Sequence, residues 1–339
     1  MFKLPVEKLN DFFAAIASTQ SLYMPVDGND GRASYKKWSD GVKLSNALNT
    51  VRSAKDFFFP QTENLCDFNR NGLNIEIIDN RKESEDFVVF GVRACDARSF
   101  TILDKVFLVD PVDSYYATRR EHGTIVTMAC TAPEENCFCN VFGIDAAAPE
   151  GDAACWLTAD ALYIKANNEK GEKFIESVKS LLTECSSEAV EAQQKETKAI
   201  MEKLPFAGVS TDYFRKNTLL EIFNSDKWAK LSESCLGCGT CTFVCPTCQC
   251  YDIKDYDTGH GIKRYRTWDS CMYSDFTKMA AANSRNTQLQ RFRQRFMHKL
   301  VYFPDNNNGE FGCVGCGRCL SRCPISMNII KVIKTFGEE

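Results

Sequence analysis

Histidine is scarce in this 339-residue chain: only His122, His260 and His298 occur, too dispersed to form a catalytic metal triad. Long apolar runs are missing as well, and no stretch approaches the roughly 18 uninterrupted apolar residues of a membrane span. The N-terminal stretch Met1-Phe2-Lys3-Leu4-Pro5-Val6-Glu7-Lys8 has no apolar signal core and carries charge and a proline early, so the expected location is cytoplasmic. No G-x-G-x-x-G opens a helix after a strand, and there is no P-loop and no H-E-x-x-H. Flavin, nicotinamide and siroheme are therefore not expected on this chain. Positive charge is not in excess either: the formal net charge is −4, which argues against a nucleic-acid partner.

Cysteine is abundant instead. Eighteen cysteines in a chain expected to sit in a reducing compartment point to metal or redox chemistry rather than to disulfides. Eight of them form two ladders. Cys235, Cys238, Cys241 and Cys245 precede Pro246, and Cys313, Cys316, Cys319 and Cys323 precede Pro324. Both ladders read C-x2-C-x2-C-x3-C-P, the run that holds [4Fe–4S] cubes in bacterial ferredoxins. Three thiolates at that spacing wrap one face of a cube, and Gly237, Gly239, Gly315 and Gly317 allow the backbone close to it. In two-cluster proteins the fourth cysteine ligates the other cluster. The expected sets are thus Cys235, Cys238, Cys241 and Cys323 for one cube, and Cys313, Cys316, Cys319 and Cys245 for the other. Structural zinc and a disulfide framework are the competing readings. Zinc ribbons use pairs of C-x2-C, whereas each ladder here supplies four cysteines and a proline. Two bound cubes would each add about −2, making the loaded protein more acidic than its side-chain count.

Upstream, apolar spacing predicts an amphipathic helix over 3–19, loops and short strands over 20–42, and buried packing at Phe57, Phe58, Phe59 and Pro60. Strands follow at Leu73–Asp79, Phe87–Val92 and Thr124–Met128, with a helix at Asp96–Phe107, the alternation of an α/β domain with a mostly parallel sheet. Cys95 and Cys130 fall just beyond two of these strands, where open α/β sheets gather ligands. Cys137 and Cys139 lie on the following loop. Cys95, Cys130, Cys137 and Cys139 are therefore a candidate third four-thiolate site, open at this point to iron–sulfur, zinc or unligated thiols. The remaining upstream elements are a surface loop at 145–152, a strand at Ala161–Lys165, a helix at Lys173–Leu182 and a charged, solvated helix from Ser186 to Lys203.

The expected architecture is a multidomain α+β chain: an α/β domain over 1–185, a helical linker over 186–230 and a ferredoxin domain over 231–339. The 67 residues between Cys245 and Cys313 exceed what a compact ferredoxin fold contains, so the C-terminal domain is expected to be the α-helical ferredoxin type. Cys248, Cys250 and Cys271 lie in that interval and read as packing near the cubes, with a thiol-linked active site as the sharper alternative. The basic run Arg285, Arg291, Arg293, Arg295, His298 and Lys299 reads as an offset to cluster charge or a contact for an acidic partner.

Gly91-Val92-Arg93-Ala94-Cys95-Asp96, Cys130 with Asn136-Cys137-Phe138-Cys139, Cys245-Pro246-Thr247-Cys248-Gln249-Cys250-Tyr251, Trp268-Asp269-Ser270-Cys271 and both ladders together carry a resemblance. From about residue 55 onward the chain resembles the family that includes the iron–sulfur subunit of anaerobic sulfite reductase and the β subunit of sulfhydrogenases. The resemblance implies an electron-transfer subunit with no catalytic residues of its own. It would work between a flavoprotein subunit binding FAD and NAD(P)H and a catalytic redox subunit such as a siroheme sulfite reductase or a hydrogenase. It also favours a third [4Fe–4S] cluster at Cys95, Cys130, Cys137 and Cys139. A thiol-linked reductase using Cys248, Cys250 and Cys271 and a docking scaffold with structural clusters are the alternatives.

Overall fold

Three consecutive parallel pairings set the frame of the N-terminal half. In the computed structural model, which describes residues 1–79 and 85–338, strands β1 (Phe2–Pro5), β2 (Ser21–Asp27), β3 (Ala33–Lys37), β6 (Phe87–Val92), β7 (Gly123–Met128), β8 (Ala153–Leu157), β9 (Ala161–Ala166) and β10 (Thr183–Glu184) form one eight-stranded sheet. Its order is β10-β1-β9-β8-β7-β6-β2-β3. Only β2–β6, β6–β7 and β7–β8 are parallel; the flanks on both sides are antiparallel. The expected mostly parallel sheet is therefore corrected to a mixed one. The parallel centre is the legible part because its strands are covered on both faces and read as continuous apolar runs.

Side-chain alternation explains both layers. Val88 and Phe90 join Phe12, Phe13, Phe174 and Ile175 on one face, under helices Leu9–Ala17 and Glu169–Val178. Val89 and Val92 turn to the other, against Phe58, Phe100 and Leu103 of helix Ala94–Phe107 and the segment before it. Val89 and Val92 share a face because the ladder slips between Phe90 and Val92, where Gly91 adopts φ +78°. The helix expected over 3–19 begins at Leu9 and is preceded by β1, which fills the sheet between β9 and β10.

A second sheet joins distant parts of the chain. Strands β4 (Thr62–Asn71) and β5 (Asn74–Asp79) pair antiparallel with a hairpin, β11 (Tyr251–Asp257) and β12 (Ile262–Trp268), in the order β11-β12-β4-β5. Two expectations change here. The strand at 74–79 belongs to this sheet and not to the α/β layer. The interval between the ladders is not a run of helices: its first part is the hairpin, and helix Gln288–Met297 comes only after a long irregular stretch. That helix opens with a capping box between Thr287 and Gln290 and continues into a π-helical turn at His298–Tyr302. Trp228, Phe292, Phe296, Leu300, Ile333 and Phe336 build the C-terminal core. Helix Glu188–Met201 is more than a solvated linker, since Val190, Thr197 and Met201 are buried on the α/β domain.

Candidate metal centres

The second ladder folds around a small cavity walled by Cys245, Cys313, Cys316, Cys319, Arg295, Lys299, Phe138 and Ile329. Cys245 comes from the first ladder, so the crossed set expected from spacing is brought to one place. Cys313, Cys316 and Cys319 each feel Cys245 electrostatically. The other set is more open. Cys235 and Cys323 both pack on the C-terminal core, Cys241 neighbours Cys235, and Cys238 is exposed.

The third set also assembles. Adjacent parallel strands β6 and β7 end side by side, which carries Cys95 and Cys130 to the same sheet edge. The crossover from β7 to β8 has no helix; it is an irregular loop with one 3-10 turn at Cys139–Phe142, and it returns Cys137 and Cys139 over that edge. Cys95, Cys130 and Cys139 share one buried cluster, and Cys137 lies in electrostatic range of Cys130 and Cys139. Thr197 closes the top, donating its hydroxyl to the Cys130 carbonyl at 2.7 Å.

The second and third sets touch through their backbones. Phe138 N–H donates to the Gly315 carbonyl at 3.1 Å. Gly315 and Gly317 have φ of +61° and +77°, and a Cβ on either would collide with the backbone of Phe138 or Asn136. These glycines thus serve the neighbouring loop as well as the ladder.

Charge is arranged to receive thiolates. Burial pushes Cys137 up to about 11, and Cys139 and Cys313 up to about 12, so these thiols hold their protons until a metal displaces them. Burial also opposes ionisation of Cys245, but Lys299, Thr247 and Lys55 outweigh it and the thiol lies below its ordinary value. Lys299 donates from Nζ to Thr247 Oγ1 at 2.6 Å and to the Gly312 carbonyl at 3.1 Å. Burial disfavours the charge on Arg295, yet Cys241, Cys319, Cys245 and Cys271 more than offset it. Of the basic run, Arg295 and Lys299 therefore face the thiols, whereas Arg291 and Arg293 donate to backbone carbonyls.

Among the described residues no three His, Cys, Asp or Glu side chains converge on a point that one metal ion could occupy. Thiolates bound to a cube stand further apart than those on a single ion, because the cube lies between them. The four thiols that line the cavity of the second ladder are the all-sulfur donor set that such clusters use.

Cys248, Cys250 and Cys271 are also brought together: Cys250 contacts both of the others through its thiol. Sequence reasoning missed Lys55, which is 2% exposed, donates to the Cys248 carbonyl at 2.9 Å and lies 3.5 Å from the Trp268 ring centroid. It also missed the pairing of Asp96 with Arg318, although both flank candidate ligands in the sequence.

A 4Fe-4S dicluster domain family matches residues 234–327. Sulfhydrogenase 2 subunit beta of Pyrococcus furiosus is 32% identical over 343 aligned positions, covering 99% of this chain and 98% of that protein. The chain belongs to the sulfhydrogenase β-subunit family. No solved structure matches it. Membership in this family, with the dicluster domain, makes the chain an iron–sulfur electron-transfer subunit of an oxidoreductase. Among the described residues no helix is long and apolar enough to cross a membrane.

Proposed function

We propose that the chain carries electrons through three [4Fe–4S] clusters, between a flavoprotein subunit that binds FAD and NAD(P)H and a catalytic redox subunit, within a cytoplasmic complex. The clusters would be held by Cys235, Cys238, Cys241 and Cys323; by Cys313, Cys316, Cys319 and Cys245; and by Cys95, Cys130, Cys137 and Cys139. When bound, each supplies a one-electron carrier. The observation that carries this reading is contiguity: Cys241 neighbours Cys319, and Cys316 neighbours Cys95, so the second thiol set adjoins both of the others. The chain's own residues align the sets and balance their charge; Cys95, Cys130 and Cys139 are buried, whereas Cys238 of the first ladder is exposed. The thiol-reductase alternative gains little. Contact with Cys250 and burial hold Cys248 well above its ordinary value. Contact with Cys248 lowers Cys250, but contact with Cys271 and burial push it to about 12, and a nucleophilic thiol needs the opposite shift.

Metal analysis of anaerobically purified protein tests the reading. Three cubes give about 12 irons per chain, and Cys139→Ser should remove about four of them. About eight irons with one zinc would instead make the N-terminal site structural zinc. Reduction of the isolated chain by NADH without a flavoprotein would refute the need for that partner.

A further inference from the structure

Between the second and third thiol sets lies a buried ion pair. Arg318 Nη1 donates to Asp96 Oδ1 at 2.5 Å and Nη2 to Asp96 Oδ2 at 2.7 Å, a two-pronged contact. The side chains are 3% and 1% exposed. Arg318 Nε donates to the Thr50 carbonyl at 3.0 Å and Nη2 to Thr50 Oγ1 at 3.3 Å, which fixes the guanidinium plane. The chain itself orients the pair. Arg318 lies between Cys316 and Cys319 of the second ladder, and Asp96 follows Cys95 directly.

We propose that Asp96 and Arg318 form a fixed dipole, positive toward the second centre and negative toward the N-terminal one, that makes the second centre the more easily reduced of the two. The proposal rests on the three-cluster reading above. Reduction adds negative charge, so a nearby cation favours it and a nearby anion opposes it, most strongly where water is excluded. The electrostatic neighbours agree with the chain order: among the charges acting on Cys316 the largest effect is Arg318's, and among those acting on Cys95 it is Asp96's. Arg295 and Lys299 add positive charge on the second side. Arg93 acts in the opposite sense, since its Nη1 donates to the Ala129 carbonyl beside Cys130 at 2.9 Å, but it is unchanged in the variants below. With a cluster held at each site, electron transfer from the N-terminal centre to the second centre would then be downhill.

Potentiometric titration of the full chain, followed by electron paramagnetic resonance and iron content, tests this. Cys139→Ser identifies the N-terminal centre's signal. Asp96→Asn with Arg318→Gln keeps the hydrogen-bonding shape without charge, and it should narrow the gap between the two centres by about tenfold in electron partition, about 59 mV for one electron. Arg318→Lys retains the charge and should preserve most of the gap. An unchanged gap in the neutral pair with full iron would overturn the proposal, as would loss of iron in that pair, which would make its role structural. About eight irons in the unaltered chain would sink the three-cluster reading separately. In that case the dipole is still read on the second centre alone, whose potential should fall in Arg318→Gln and hold in Arg318→Lys; equal potentials there would overturn it.

Discussion

Lys55, Arg295 and Lys299 are buried cations, and among the described residues none of them makes an ion pair with a carboxylate. A buried ammonium without an anion is costly. Here the groups that favour the charge are sulfur: burial lowers both lysines while Cys245 and Cys248 raise them, and burial prevails at Lys55, which lies below its ordinary value, whereas the cysteines prevail at Lys299, which lies above. Lys299→Met removes the charge and strips the Gly312 carbonyl and Thr247 hydroxyl of a donor. The expected cost is about 1–3 kcal/mol, measured as a shift in the denaturant midpoint, together with a second centre that is harder to reduce. An unaltered potential would show that its charge is not felt there. The sequence offered the whole basic run from Arg285 to Lys299 as an offset to cluster charge, but spacing alone could not say that Arg291 turns to the Met272 and Arg285 carbonyls while Arg295 and Lys299 face thiols.

Elements with both faces covered were the readable ones. Phe87–Val92 and the helix ending at Phe107 match expectation closely because continuous burial and a 3.6-residue period leave unmistakable apolar patterns. The hairpin Tyr251–Trp268 did not, since Asp252, Lys254, Asp255, Asp257, Lys263 and Arg264 mask its alternation and its pairing partner β4 lies far away in sequence. At the N-terminal site the four thiols were legible from strand ends and the C-x-C, yet their lid was not. Glu188–Met201 reads as a solvated helix because most of its surface is charged; its buried side is carried by Val190, by Thr197, which reaches the Cys130 carbonyl, and by Met201. Thr197→Val should leave that buried carbonyl unpaired at a cost of about 1–3 kcal/mol. Hydrogen exchange should then be faster in residues 188–201 than in β6 and β7. Uniform protection across all three segments would mean the hydroxyl does not hold the lid.

At the scale of the whole molecule, the boundary expected at residue 231, just ahead of the first ladder, falls between segments that build structure jointly. Strand β12 pairs with β4 over Ile262–Thr267, and Trp268 Nε1 donates to the Phe59 carbonyl at 3.2 Å. Arg266 pairs with Glu63 and Asp113, and Arg318 with Asp96, so N-terminal carboxylates neutralise two buried guanidiniums of the C-terminal half. Removing one partner of such a pair leaves an uncompensated buried charge, which costs about 3–5 kcal/mol each time. Residues 231–339 expressed alone would lose both carboxylate sets, the Lys55 ammonium beside Cys248 and the strand that covers the hairpin. The fragment should therefore bind fewer than the about eight irons of two cubes, unfold over a broad transition and expose Trp268 to quenchers. If it instead holds about eight irons and titrates at the same potentials as the full chain, the ladders form an autonomous domain and the shared sheet is only a docking contact.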